Sequence, residues 1–481
     1  MLITTTHWSP GHLQSRFQVG RAVGQGFLWI GLALGSLVMG VACVFLPWWL
    51  VLAFVGAVVY PVVLWLAPWA GIALYCVALE VSPDLKISDV MTVASLLVLG
   101  IRFAVSRNAM RWLPRRELQL LAAFMALVLL SVGLAFVVFH NTVPFVYRDG
   151  RPFMYWLWLP VLYALVGASA DGRQKLARVL IGMAVFVAVV ALVQYFFGLQ
   201  FVREGRVGAL ETGGQIDSDL TRVQMPGFTF VLVAAAWALA NISQGGKRLA
   251  YGIPLLLLLA AALYVNFGRG LWVWSAVALL LCGVMLGWRR AMLIYLALAL
   301  VSAVAAIGLY LVKPAVIDAA VHRMVSVVDE GGNKSSFGWR KLENQAAFSR
   351  IAGSPLVGIG LGGEYRNWVY EVRSFTEHTR YLHNGYVFTA LKLGVPALLI
   401  LLALFIRIWW RAVRQRAVPG NRSNPVWVAA VASWVALLGL SLTQPEIATT
   451  QTVLLMCMLM VVMLGTARAD GGAVLARSDV G

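Results

Sequence analysis

The stretch LAYGIPLLLLLAAALYVNFGRGLWVWSAVALLLCGVMLG, residues 249–287, holds two apolar runs parted by one short break, Asn266-Phe267-Gly268-Arg269-Gly270. Each run is close to the roughly 20 residues an α-helix needs to cross a bilayer. Lipid offers no partner for backbone N–H and C=O groups, so the pair reads as two membrane helices joined by a tight turn. A charge at mid-bilayer costs roughly 2.5–3.5 kcal/mol on insertion scales, so Arg269 must line a wet cavity or reach an interface.

The same pattern runs outward through the chain. Of 481 residues, 61% are hydrophobic and only 12% charged, about half the charge of a soluble protein. Candidate spans lie near 25–45, 48–67, 69–82, 88–105, 117–138, 153–169, 176–197, 225–242, 249–266, 270–287, 291–312, 384–407, 425–442 and 449–466. The expected fold is therefore all-α: a polytopic integral membrane protein of about 14 transmembrane helices (12–14), with 69–82 shorter than a bilayer requires. The domain reading is 1–24 as a cytoplasmic segment, 25–312 as a helix bundle, 313–383 as a large periplasmic loop carrying short helices, 384–466 as the C-terminal spans and 467–481 as a cytoplasmic tail. Arg16 and Arg21 precede an apolar run without a small-residue cleavage site, which reads as a retained first span.

Charge sorts the connectors into two sets. Those around Arg107, Arg111, Arg115 and Arg116, around Arg173, Lys175 and Arg178, around Lys247 and Arg248, around Arg289 and Arg290, and from Arg407 to Arg422 are basic, which assigns them to the cytoplasm. The opposite face receives Tyr147 to Arg151, Arg203 to Arg222, the Arg269 turn and the 313–383 loop. The net charge of +18 is thus an orientation signal, and no nucleic-acid partner is read from it. Cys43, Cys76, Cys282 and Cys457 all fall in apolar runs, which leaves neither a disulfide framework nor zinc-ligand spacing.

The long loop concentrates the polar chemistry, and loops of that length tend to be functional or disordered. Trp339 to Ile351 has helix-compatible composition with Leu342 and Ala346 one turn apart, stopped by Gly353-Ser354-Pro355. His383 ends the loop at the water interface, where a side chain titrating near neutrality suits a general base; the plain alternative is a helix start capped by Asn384. His378, His322 and His140 are weaker candidates. Arg148, Arg151, Arg203, Arg206, Arg222 and Arg340 join Arg269 on the same face, and guanidinium forks suit diphosphate oxygens, although several will be ordinary surface charges. Gly358-Ile359-Gly360-Leu361-Gly362-Gly363 contains G-x-G-x-x-G, but no βαβ unit surrounds it and a tight turn is the better reading. Lys392 is an intramembrane charge, either functional or snorkelling along a cavity wall. Tryptophans such as Trp156 and Trp409 read as interface belts.

Three pieces together resemble the O-antigen ligase/polymerase superfamily of bacterial polysaccharide assembly. They are Phe267-Gly268-Arg269-Gly270, the loop pattern from Trp339-Arg340 to Ser354-Pro355 and Gly358 to Gly362, and His383-Asn384-Gly385-Tyr386 followed by Leu391-Lys392-Leu393-Gly394-Val395-Pro396. The similarity covers roughly 180–450; Gly268 stands where the family often has serine. The resemblance implies a cofactor- and metal-independent, inverting glycosyltransferase of the bacterial inner membrane, with its active site facing the periplasm. Its donor would be an undecaprenyl-diphosphate-linked glycan and its acceptor a glycan or lipid A-core, with the lipid bilayer around it and a chain-length regulator or flippase as companion. By the same resemblance His383 and Arg269 would be catalytic, Arg340, Arg222, Arg206 and Arg148 would hold the diphosphate, and Asn384 and Tyr386 would support. A flippase or polysaccharide transporter is the competing class, for which internal repeats would speak and none is visible.

Overall fold

The structure is a computed structural model that describes residues 48–82, 85–105, 112–169, 171–200, 205–212, 215–287, 336–366, 379–415 and 424–465, with a few single positions besides. The candidate spans 25–45 and most of 291–312, both terminal segments, Arg203, His322 and His378 lie outside the described residues. The chain divides into two units, Met1–Ala67 and Pro68–Gly481. Among the described residues the first contributes α1 (Trp48–Leu66), which carries Pro61 inside it.

The second unit is a helix bundle. In chain order it has α2 (Pro68–Val81), α3 (Leu85–Val105), α4 (Arg115–Val137), α5 (Val143–Met154), a 3-10 turn (Tyr155–Leu157), α6 (Trp158–Gly167) and α7 (Gly172–Phe197). A hairpin follows, β1 (Arg206–Thr212) and β2 (Gln215–Gln224), then α8 (Phe228–Ile242), α9 (Lys247–Asn266) and α10 (Arg269–Leu286). After the loop come α11 (Ser336–Gly353), α12 (Gly385–Leu393), α13 (Val395–Gln415), α14 (Pro425–Leu440), a 3-10 turn (Glu446–Ala448) and α15 (Thr450–Leu464). Among the described residues six helices are long and apolar enough to cross a membrane, and five shorter apolar ones accompany them. Each candidate span within those residues is helical.

Three features depart from the sequence reading. The described residues are predominantly helical, as the all-α expectation has it, but they add one short antiparallel hairpin, whose ladder runs from Arg206 opposite Gln224 to Thr212 opposite Gln215. Residues 147–151, taken as a connector, lie inside α5, where Pro144 sits at a position whose N–H has no helical partner anyway. The single span expected at 384–407 is two helices parted at Gly394, a residue with φ of 88° that no side-chain-bearing residue adopts comfortably.

The core is α15, buried at every residue from Thr450 to Leu464, with α8 and α14 nearly as enclosed. Helices apolar all round belong in such a place. Outer helices instead expose large apolar side chains, among them Val90, Val93 and Leu97 on α3, Val273 and Leu280 on α10, and Leu399 and Ile406 on α13. In a bilayer this is the lipid-facing belt. Among the described residues, the connectors sorted by charge fall at two ends of the bundle. At one end Glu117 at the start of α4 is clamped by Arg407 Nε at 2.9 Å and Arg411 Nη1 at 3.1 Å from the end of α13. At the other end lie α5, the hairpin, the Arg269 turn, α11 and the connector 441–449.

Candidate functional site

The site grows from α11. Its buried face carries Glu343 and Ala347, while Leu342 is 42% exposed, so the face inferred from Leu342 and Ala346 is one residue out of phase. Glu343 is sealed from solvent, and a buried carboxylate needs several partners. His383 Nδ1 lies 2.8 Å from Oε2, the His383 backbone N–H donates to the same oxygen at 3.3 Å, and Arg366 Nη2 lies 3.2 Å from Oε1. Burial pushes the Glu343 carboxyl up, but the His383 bond, the His383 charge and Arg366 outweigh it and hold the group below the ordinary carboxylate range. Arg366 is fixed in turn by the Trp339 ring at 4.5 Å. With Nδ1 engaged, Nε2 is the ring nitrogen of the 30%-exposed His383 side chain that Glu343 does not hold. Asn384 caps α12, its Oδ1 accepting from the Tyr386 and Val387 N–H groups at 3.1 Å. The capped start, which the sequence offered as the plain alternative to a general base, is present, and the histidine beside it is held by a carboxylate the sequence did not pair with it.

Below this start the helix breaks, and the glycine-rich turn fills the break. Ile359 N donates to Leu391 O at 2.8 Å, and Val395 N donates to Pro355 O at 2.8 Å. These bonds satisfy backbone groups that a broken membrane helix would leave bare. Gly358, Gly360 and Gly362 have φ of 66°, 74° and 78°, and a Cβ on Gly362 would fall 2.8 Å from Val146 N. The fingerprint-like motif is thus a tight turn, as its surroundings suggested. Lys392 does not snorkel: it is fully buried, 2.8 Å from Asp149 Oδ2 and 2.6 Å from Gly363 O, and Asp149 also accepts from Gly362 N at 2.8 Å. One carboxylate on α5 therefore ties the turn to α12.

Arg269 opens α10. Phe267 turns the chain with φ of 49°, Trp272 Nε1 donates to Leu263 O at 2.7 Å, and Tyr264 stacks on Trp272. A Cβ on Gly268 would collide with Asn266 Oδ1, so a side chain there would displace Asn266. Asn266 Nδ2 donates to Val223 O at 3.1 Å and Arg222 Nε donates to Asn266 O at 2.9 Å, so the hairpin is pinned to the Arg269 turn. The two-residue period of the ladder places Arg206 and Arg222 on one face of the ribbon.

The connector 441–449 joins the histidine and arginine ends. A Cβ on Gly270 would meet Thr443 Oγ1 at 3.3 Å; Gly385 N donates to Ser441 O at 2.9 Å, and a Cβ on Gly385 would meet Ile447 at 2.9 Å. Arg269, which opens α10, and His383, which precedes the Asn384 cap of α12, are thus seated on the same turn, at the same end of the bundle. On the His383 side stands Tyr381, edge-on to the His383 ring at 4.9 Å. Its hydroxyl is raised far above its usual range by burial first, then by the charges of Glu446 and Glu343, opposed by Arg340 and Arg148. Glu446 hydrogen-bonds Thr452 Oγ1 at 2.5 Å, and burial pushes its carboxyl up to about 7.

The structure therefore gathers His383, Asn384, Tyr386, Arg148 and Arg340 around α12 and Tyr381, and Arg269, Arg222 and Arg206 around the α9–α10 turn, with the 441–449 connector between the groups. Arg151 is spent elsewhere, on Asp89 at 2.6 Å and Ser88 Oγ at 2.7 Å. His140 is an exposed residue just past α4 with φ of 52°. Sequence reasoning did not single out Glu343, Asp149, Glu446 or Tyr381; for the three carboxylates, an acid in an otherwise apolar or basic region was the available signal.

A family model described as O-antigen ligase was matched to part of the chain. Residues 254–402 match the O-antigen ligase family. The match runs from α9 through Arg269, α11, the glycine-rich turn and His383 into α13, inside the region whose motifs carry the resemblance. No curated protein matches the chain. The helices before α9 lie outside the O-antigen ligase match, including α5 with Arg148 and Asp149.

Proposed function

We propose that the protein is a membrane glycosyltransferase of the O-antigen ligase/polymerase type. It would move or polymerise an undecaprenyl-diphosphate-linked glycan at the periplasmic face of the bacterial inner membrane during cell-surface polysaccharide synthesis. The observation that carries the reading is His383, held by the buried Glu343, at the same end of the bundle as Arg269. Arg269, Arg222, Arg206, Arg340 and Arg148 would bind the diphosphate. The free nitrogen of His383 would take the acceptor hydroxyl proton as that oxygen attacks the anomeric carbon. The bond from carbon to phosphate oxygen breaks, the diphosphate leaves with the electron pair against the arginines, and configuration inverts. Charge-assisted hydrogen bonds of roughly 1.5–3 kcal/mol each, together with a positioned base worth about 10²–10⁴ in rate, are of the size such a transfer needs.

His383→Ala and Arg269→Ala are each expected to abolish glycan transfer from the lipid diphosphate while the protein stays in the membrane at wild-type level. Near-normal transfer by both variants overturns the assignment. Acceptor identity separates ligase from polymerase, and the glycan profile of a deletion strain reads it: loss of long chains from lipopolysaccharide alone marks a ligase, single-repeat products a polymerase. The break at Gly394 beside the buried Lys392 favours one second reading, a lipid-linked glycan transporter, since transporters use broken helices. Accumulation of donor on the cytoplasmic leaflet in the deletion strain would select it.

A further inference from the structure

A groove of about 430 Å³ opens between α2 and α7, lined by Trp69, Ala73 and Val77 on one side and by Gly182, Lys175 and Arg178 on the other. That volume falls in the range of sites that hold small molecules. Its place is fixed by contacts independent of the charge rule. The far end of α2 meets the start of α15, where Gln451 Nε2 donates to Leu79 O, and α15 starts at the connector that seats His383. At the other end of α15, Gly465 lies against Arg173 on the first turn of α7. The groove therefore sits at the end of the bundle away from His383.

Its chemistry is divided: an apolar floor with a half-buried tryptophan, and two cations at one edge. An apolar channel with cations at its mouth, in a bundle flanked by lipid-facing side chains, matches a lipid with a negatively charged head. We propose that this groove holds one anionic phospholipid of the adjoining leaflet, its phosphate against Lys175 and Arg178 and an acyl chain along Trp69, Ala73 and Val77. Lys175 also lies 3.0 Å from Asp171 Oδ1, but the two side chains are 36% and 47% exposed. A pair of that kind is weak enough to open for a phosphate. Gly182 leaves the chain room, since a Cβ there meets nothing within 4 Å.

The test uses the full-length protein in detergent, stripped of lipid and then offered phosphatidylglycerol and phosphatidylcholine in equal amounts, with native mass spectrometry reading which stays bound. Phosphatidylglycerol is expected to be retained at one per chain in preference to phosphatidylcholine. Lys175→Gln with Arg178→Gln should weaken retention about thirtyfold, from roughly fivefold per charge. Gly182→Leu should abolish retention by filling the channel with both cations in place, and it replaces glycine by a better helix former, so folding is not at risk. Equal retention of the two lipids by the wild type overturns the proposal, a result that needs no variant. So does unchanged phosphatidylglycerol retention in either variant with a wild-type melting profile.

Discussion

Glu343 illustrates what a single residue contributes. Accepting from His383 Nδ1, it fixes which ring nitrogen carries the proton and leaves the other to accept one. Glu343→Gln keeps the shape but loses the charge that orients and supports the imidazolium. The expected result is a fall in transfer rate on the order of 10²-fold with little change in protein level, and an altered pH–rate profile; a purely structural role would lower the level and leave the profile of the surviving protein alone. Because the folded carboxyl lies below its unfolded value, its stabilising effect is complete above about pH 4.3 and is lost only as pH falls through the lowered folded value. His383 was legible in the sequence because it ends a polar loop at an apolar run. Glu343 was not, since Leu342 and Ala346 offered an equally regular apolar face, and only the partner 40 residues away shows which face turns inward.

At the scale of elements, sequence patterning located helices well wherever an apolar run met a basic connector. It failed where tertiary contacts replace local signals. Gly394-Val395-Pro396 is a breaker written plainly in the chain, yet the apolar run continues across it, and only the inserted turn makes the break tolerable. α5 was invisible for a different reason: it is short, polar on one side, and its charges are absorbed by partners far along the chain. The hairpin carries no strong alternation of apolar residues, so nothing local announced it. The Lys392–Asp149 pair is the lock of this region. Lys392→Met leaves a carboxylate largely buried without its cation, and breaking a buried pair in this way costs about 3–5 kcal/mol. The expected outcome is a lower melting temperature in detergent and loss of transfer, with part of the melting temperature restored by adding Asp149→Asn; a lone Lys392→Met that melts as the wild type does would refute the lock.

At the scale of the whole bundle, the pH response follows from where the described acids are buried, Glu343 beside His383 and Arg366 and Glu446 in the connector 441–449. Glu446 has a folded value of about 7 against roughly 4.3 when unfolded, so it favours the folded state fully below about pH 4.3 and progressively less as pH rises to 7. Glu343 acts with the opposite sign and only at lower pH, so the two windows do not overlap. Melting in detergent should therefore fall between pH 5 and pH 8. Glu446→Gln should flatten that slope and melt higher than the wild type at pH 8; an unchanged slope would remove Glu446 as its source.

The enclosure of α15 has a bearing on assembly. It is the last described helix to emerge during synthesis, yet it stands in the middle, walled in by partners made before it. Those earlier helices must wait with a vacant slot, or close on one another and reopen, for as long as translation lags. A chain interrupted before Thr450 would be a ring without its axle, and so a natural target for membrane quality control.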